Sequence, residues 1–231
     1  MNKTDKIIAQ ARSEGRKALL EPEAKAICTE YSIPVTKFNV AKSEQEAAEF
    51  AGQIGFPVVL KIVSPDIVHK TEAGGVKVNL KTQTEVKAAY KQILENAKRY
   101  KPDAQIAGIL VQEMAPSSTE VIIGSVKDPT FGQTLMFGLG GIFVELLKDV
   151  AFRVAPLSPQ DASEMVTELK AYPLLKGYRN APAADITTIV NMLLYTSKLV
   201  MEHPEIKELD LNPVLVYEKG AKTVDARIIL E

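Results

Sequence analysis

A single cysteine, Cys28, is present, so no internal disulfide and no cysteine-based zinc site can form. It lies in the amphipathic stretch AKAICTEY and reads as a small buried hydrophobe, not a nucleophile. An excess of either charge is missing too: 28 basic residues stand against 29 acidic ones. With no basic block or tail, neither nucleic acid nor an anionic membrane surface is an expected partner. No apolar run approaches the length of a membrane span. The N-terminal stretch MNKTDKIIAQARSEGRK is charged and helical without an apolar signal core, which makes the cytoplasm the expected location. Two common phosphate motifs are also absent. No GxxxxGK-S/T occurs, and the cluster Gly138-Leu139-Gly140-Gly141 lacks the third glycine of GxGxxG. A nucleotide would have to be held in another way.

At 231 residues the chain can bury a sizeable core, as one large domain or as two lobes. The opening residues read as a helix ending near Gly15. EPEAKAICTEYS reads as a second helix, with Pro22 suited to its first turn. VTKFNV is a short strand. Ser43 and Glu46 form a capping-box pattern ahead of a helix that Gly55 ends. PVVLKIV and GVKVNL read as strands, and TQTEVKAAYKQILENAKRY as a long amphipathic helix stopped by Pro102. Strands then follow in close succession: GILVQEM, TEVIIGSVKD, QTLMFGL and VAFRVAPL. Two helices are expected at 159–171 and 183–202. KELDLNPVLVY and KTVDARIIL close the chain as two strands. The expected organisation is an N-terminal helix (1–20), an α/β lobe (21–111) and a strand-rich lobe (112–231), each lobe of ordinary domain size.

Only two histidines occur, and His69 sits in FPVVLKIVSPDIVHKTEAGGVKV, between a strand carrying Lys61 and the pair Gly74–Gly75. A strand lysine either lies on a solvated face or aims its ammonium at an anion. The glycines make a tight turn, or they let backbone N–H groups approach phosphate oxygens. Glu113 and Glu120 flank MAPSST. A backbone hinge there can pair with an adenine edge, and a carboxylate seven residues on can accept from ribose hydroxyls; the plain alternative is a hairpin with solvated acids. Asp210 and Asn212 alternate on one strand face, and Asp225 on the next strand can come opposite. Such oxygen ligands suit Mg²⁺ bridging nucleotide phosphates. Arg153 on an apolar strand either neutralises phosphate or is simply exposed. His203 closes a helix, where the helix dipole is reason enough for it.

Together these stretches resemble an ATP-grasp protein, with an α/β two-lobed fold. More closely, they resemble the ATP-grasp (β) subunits of the nucleoside-diphosphate-forming acyl-CoA synthetases. The similarity runs over nearly the whole chain, through SPDIVHKTEAGGV, ILVQEMAPSSTEVIIGSVKDPTFG, FGLGGIFVELLKDVAFRVAPLS, ELDLNPVLV and VDARIIL. Succinyl-CoA synthetase β chains share the AGGVKV and NP…D elements but lack HKTE. The resemblance implies a fold that clamps ADP or ATP between sheets. It makes Lys61 a phosphate contact, Met114–Ala115 the adenine hinge and Glu120 the ribose acid. Asn212 and Asp225 become Mg²⁺ ligands, with Asp210 beside them, and His69 becomes the second phosphohistidine of a relay. The first histidine and the CoA site belong to a partner α subunit, and α₂β₂ is the family assembly. A partner-binding patch is expected near the His69 loop and on the apolar segment at 141–147. An alternative implied reading is a regulatory nucleotide-binding module without turnover. The intact His69, Glu120, Asn212 and Asp225 argue against it.

Overall fold

The computed structural model of the chain describes residues 2–141, 144, 146–178 and 182–231. The first half runs α1 (Lys3–Ser13), α2 (Glu21–Glu30), β1 (Phe38–Ala41), α3 (Glu44–Ile54), β2 (Val58–Val63), β3 (Val76–Leu80), α4 (Gln83–Tyr100) and β4 (Gly108–Glu113). The second runs β5 (Thr119–Asp128), β6 (Gly132–Leu139), β7 (Val150–Val154), α5 (Pro159–Thr167), α6 (Tyr172–Leu175), α7 (Ile186–Glu202), β8 (Ile206–Val216), β9 (Ala221–Thr223) and β10 (Ala226–Leu230). Among the described residues, no helix is long and apolar enough to cross a membrane.

Two compact units form. The small unit holds Leu20–Pro22 and Thr36–Ala115; the large unit holds the stretch up to Leu19, Glu23–Val35 and Pro116–Glu231. The division differs from the one expected from the sequence, because α1 and most of α2 join the C-terminal strands. Backbone pairing gives the reason: Leu19 N–H bonds to the Ile228 carbonyl at 3.0 Å and Leu230 N–H to the Lys17 carbonyl at 2.6 Å.

The small unit is an antiparallel sheet of order β1-β4-β2-β3 backed by α3 and α4. Ser43 caps α3, accepting from the Glu46 N–H at 3.1 Å, while the Glu46 carboxylate returns to the Lys42 N–H at 2.7 Å. The return bond thus falls one residue before the expected box. In α4, Val86, Ala89, Tyr90, Ile93 and Ala97 are buried at spacings of three and four, the stripe that turns one helix face to a core. Val58, Leu60 and Ile62 of β2 join that core. Side chains alternate along a strand, so Lys61 points to the other side of the sheet.

The large unit is an antiparallel sheet of order β10-β8-β5-β6-β7, with β9 paired to the end of β8. Helices α5 and α7 pack against it. Val121, Ile123, Leu135, Phe137, Leu209, Leu211 and Ile228 face that helical core. Cys28 is buried in the same core, where desolvation pushes its thiol up to about 12. The stretch expected as one final strand is two. Pro213 has no N–H for the ladder, and β9 pairs with Val214–Val216 whereas β10 pairs from Leu211 downwards. Val224 and Asp225 fill the break. Val224 N–H bonds to the Pro213 carbonyl at 2.9 Å, and Asn212 N–H bonds to the Asp225 carbonyl at 3.2 Å.

Candidate functional site

Candidate residues occur in both units. In the small unit, residues 64–75 leave β2 through two bonds to Gln105: Ser64 Oγ donates to its carbonyl at 2.6 Å, and its N–H donates to the Asp66 carboxylate at 2.7 Å. The chain returns in one helical turn. Ala73 N–H bonds to the His69 carbonyl at 3.1 Å, and Gly75 N–H to the Lys70 carbonyl at 2.7 Å. His69 stands on the outside of this turn with 68% of its side chain exposed, and Glu72 Oε1 lies 3.9 Å from its Nδ1. An exposed imidazole in a short turn can meet a reacting group without disturbing a core.

Lys61 is not solvated; it is 6% exposed. Its ammonium donates to Glu21 Oε1 at 2.8 Å, and the Lys70 ammonium donates to Glu21 Oε2 at 2.6 Å. One buried carboxylate therefore joins the strand lysine to the residue beside His69.

Gly74 and Gly75 have a packing reason that needs no ligand. Gly74 adopts φ +62°, and its carbonyl accepts from Asn96 Nδ2 at 2.9 Å. A Cβ on Gly75 would lie 2.5 Å from Ile62 Cγ2 and 3.0 Å from the Lys70 carbonyl oxygen. Gly75→Ala is therefore expected to lower unfolding stability by about 1–3 kcal/mol, as overpacking does. Gly52 in α3 has only Gln83 Nε2 near, at 3.6 Å. Gly52→Ala is expected to be neutral or stabilising by about 0.5–1 kcal/mol. Denaturant midpoints of the two variants check this; equal midpoints would contradict the close contact at Gly75.

At the end of β4, Glu113 N–H bonds to the Lys37 carbonyl at 3.0 Å, and Glu113 Oε1 accepts from the Lys37 N–H at 2.7 Å. Met114 N–H bonds to the Pro57 carbonyl at 3.2 Å. Both N–H groups are thus committed to the strand end, which stiffens the lead into Ala115.

In the large unit the sheet has a second, open face. It carries a hollow of about 400 Å³ lined by Gly124, Met136, Phe152, Asp210, Asn212 and Arg227, among others. Alternation puts Asp210 and Asn212 there while Leu209 and Leu211 face the core. The backbone bond from Asn212 to Asp225 brings Asp225 opposite Asn212, although Asp225 lies in the break between β9 and β10 and not on a strand as expected. Burial, and then the charge of Asp225, raise the Asp210 carboxyl above its ordinary value; Arg227, directly across in β10, opposes them. Two carboxylates and an amide oxygen with one carboxyl raised are a donor set that fits a hard divalent cation. Among the described residues no group of three or more His, Cys, Asp or Glu could hold a metal ion by itself. A cation here thus needs the Asn212 amide and oxygens from a ligand.

Glu120 on β5 is exposed, and its carbonyl accepts from the Gly140 N–H at 2.8 Å. A Cβ on Gly140 would lie 2.9 Å from Glu120 Cβ, which accounts for one glycine of the 138–141 cluster. Arg153 has a local partner. Its two terminal nitrogens donate to the Glu168 carboxylate at 3.0 and 2.7 Å, tying β7 to the C-cap of α5. His203 closes α7 as read, and it is buried, with Tyr31 Oη 2.8 Å from Nε2. In the apolar segment at 141–147, Ile142, Phe143 and Glu145 lie outside the described residues; Leu146 and Leu147 are exposed. Sequence reasoning missed Glu21, which read only as a helix start. Nothing local to Glu21 signals partners 40 and 49 residues away.

Two antiparallel sheets, one with a lysine and an exposed turn histidine, the other with an acid-lined open face, define a class. Residues 10–230 match the ATP-grasp domain family. The acetate–CoA ligase [ADP-forming] I subunit beta of Pyrococcus furiosus is 51% identical, over 99% of this chain and 98% of its own. A structure of Ca. Korarchaeum cryptofilum dinucleotide-forming acetyl-coenzyme A synthetase 1, in complex with coenzyme A, Ca-AMPCP and HgCl⁺, superposes with TM-score 0.95. It is 56% identical, over 99% of this chain and 100% of that one. Another structure of that enzyme holds coenzyme A and Mg-AMPPCP, with its phosphohistidine segment pointing towards the nucleotide binding site. It superposes with TM-score 0.88 at 51% identity, covering 99% and 100% of the two chains. The chain belongs to the ATP-grasp family, within its group of ADP-forming acetate–CoA ligase β subunits.

Proposed function

We propose that this chain is the nucleotide-handling β subunit of an ADP-forming acetyl-CoA synthetase, an acid–thiol ligase of the cytoplasm. It works with a CoA-binding α subunit, as α₂β₂, to convert acyl-CoA, ADP and phosphate into acid, CoA and ATP. The observation that carries the reading is His69, exposed on a turn whose neighbour Lys70 shares Glu21 with Lys61. An imidazole nitrogen is a neutral nucleophile at physiological pH. It takes a phosphoryl group from the α subunit's phosphohistidine as the donor N–P bond breaks. A terminal β-phosphate oxygen of ADP then attacks that phosphorus, the bond to His69 breaks, and ATP leaves with His69 restored.

Such transfers depend on placement and charge neutralisation more than on covalent activation. Lys61 would contact phosphate, and the backbone at Gly74–Gly75 would approach it closely. Ala115, at the end of the stiffened Glu113–Met114 lead, would offer its backbone to the base, with Glu120 accepting from ribose hydroxyls. Asn212 and Asp225, with Asp210 beside them, would hold Mg²⁺, which when bound supplies positive charge against the phosphates. Arg153 is left out of this set because Glu168 already takes its guanidinium.

The test is reconstitution with an α chain. Alone, the chain is expected to bind Mg·ADP and to form no ATP from acetyl-CoA, ADP and phosphate; with α, ATP forms. ATP synthesis by this chain alone would refute the subunit reading. Nucleotide binding without acid-labile, base-stable labelling by radiolabelled ATP would favour the regulatory module instead.

A further inference from the structure

We infer that Asn96 is a positioning residue for phosphoryl transfer at His69: it fixes the peptide unit that closes the His69 turn. The inference rests on the phosphotransfer reading above and adds to it a residue that acts through the backbone.

The turn is short, and both its flanks are fixed. Ile67 and Ala73 are buried in the core of the small unit. At the outgoing end the Asp66 carboxylate accepts from the Gln105 N–H at 2.7 Å and from the Lys101 ammonium at 3.3 Å. At the returning end two adjacent glycines would leave the backbone free to turn. Asn96 of α4 supplies the hold there: its Nδ2 donates to the Gly74 carbonyl at 2.9 Å. That carbonyl belongs to the same peptide unit as the Gly75 N–H, which bonds to the Lys70 carbonyl at 2.7 Å. A peptide unit is planar, so holding its oxygen also aims its N–H. The grip of Asn96 is thereby passed to Lys70, next in the chain after His69. Asn96 is itself well supported, because Ile93 and Ala97 on the same helix are buried in the core. His69 is two residues from Ile67. Its Cα can therefore lie no more than about 7 Å from the Ile67 Cα, and within that radius the closed turn selects one position. Phosphoryl transfer rewards such selection, since a misplacement of about 1 Å can cost about a hundredfold in rate.

The experiment is the time course of phospho-label on the whole chain from radiolabelled ATP with Mg²⁺. In that step the bond from the γ-phosphorus to the bridging oxygen of ADP breaks and one to the His69 nitrogen forms. Asn96→Ala is expected to slow labelling at saturating ATP by about 10–100-fold, with the half-saturating ATP concentration and the final extent within about twofold of wild type. Hydrogen exchange at the Gly75 amide should rise about tenfold, the scale of one lost hydrogen bond. Alanine is the better helix former, so α4 should stand without the asparagine. Should Asn96→Ala fail to fold, Asn96→Asp carries the test, since it keeps the size and removes the amide donor. A merely structural role would lower the melting temperature and the final extent and leave the rate of the competent fraction unchanged. That result would overturn the inference, as would a folded variant labelled at the wild-type rate. A wild type that takes no label, or no more than His69→Ala takes, would remove the phosphotransfer reading and this inference with it.

Discussion

His69→Ala is expected to lower ATP formation by the reconstituted enzyme by roughly three orders of magnitude or more, because a covalent relay member has no substitute. Mg·ADP affinity should stay within about threefold of wild type, since the side chain is 68% exposed and makes no core contact. The turn is held by backbone bonds and by Lys70, neither of which the alanine removes. Loss of activity therefore cannot be charged to misfolding if thermal unfolding is unchanged. The decisive comparison is phospho-label retained on the chain after incubation with radiolabelled ATP and Mg²⁺. Wild-type labelling, or near wild-type turnover, in His69→Ala would end the relay assignment.

Asp225→Asn should reduce Mg·ADP affinity and ATP formation by about 10–100-fold or more, since even the groups that only support a metal ligand cost that much when altered. Binding of metal-free ADP should change little. Asp210→Asn separates stability from function at the same place. Burial and Asp225 raise the folded-state carboxyl above its unfolded value. The stability of such a group is fully present below the unfolded value and lost as pH rises through the folded one. At neutral pH, without a cation, the carboxylate is thus a net cost. Asp210→Asn is expected to raise the cation-free Tm at pH 7 by about 2–4 °C. The gain should vanish below about pH 4, where unfolded-state carboxyls are protonated. With saturating Mg·ADP the order should reverse. Titrations that lose equally with and without Mg²⁺ would show that neither acid serves a cation.

Legibility in the sequence followed the range of the interactions. The α4 stripe and the alternation of Leu209, Asp210, Leu211 and Asn212 are local periodicities, and the structure keeps both. The strand break at Asp225 was not legible. Its cause is Pro213 on the neighbouring strand, and KTVDARIIL carries no glycine or proline of its own, only Asp225. Lys61 was visible as an odd residue on an apolar strand, but its fate depended on Glu21. Arg153 likewise sat where expected, while its charge was already spoken for by Glu168, 15 residues on. The sequence shows which side chains are unusual for their element. It does not show which distant partner makes them ordinary.

The pairing of residues 17–19 with 228–230 has a consequence for biogenesis. Thr36–Ala115, by far the greater part of the small unit, is one continuous stretch, so its contacts close early in synthesis. The large unit is begun first and finished last. Its opening helix waits on the ribosome until β10 emerges, a loop closure of more than 200 residues. Throughout that interval Ile8 and Ala11, which end in the core, have nothing of β10 to pack against. Translation speed through the final strands, far from His69 in sequence, thus bears on how long that apolar surface stays open to chaperones or to other nascent chains.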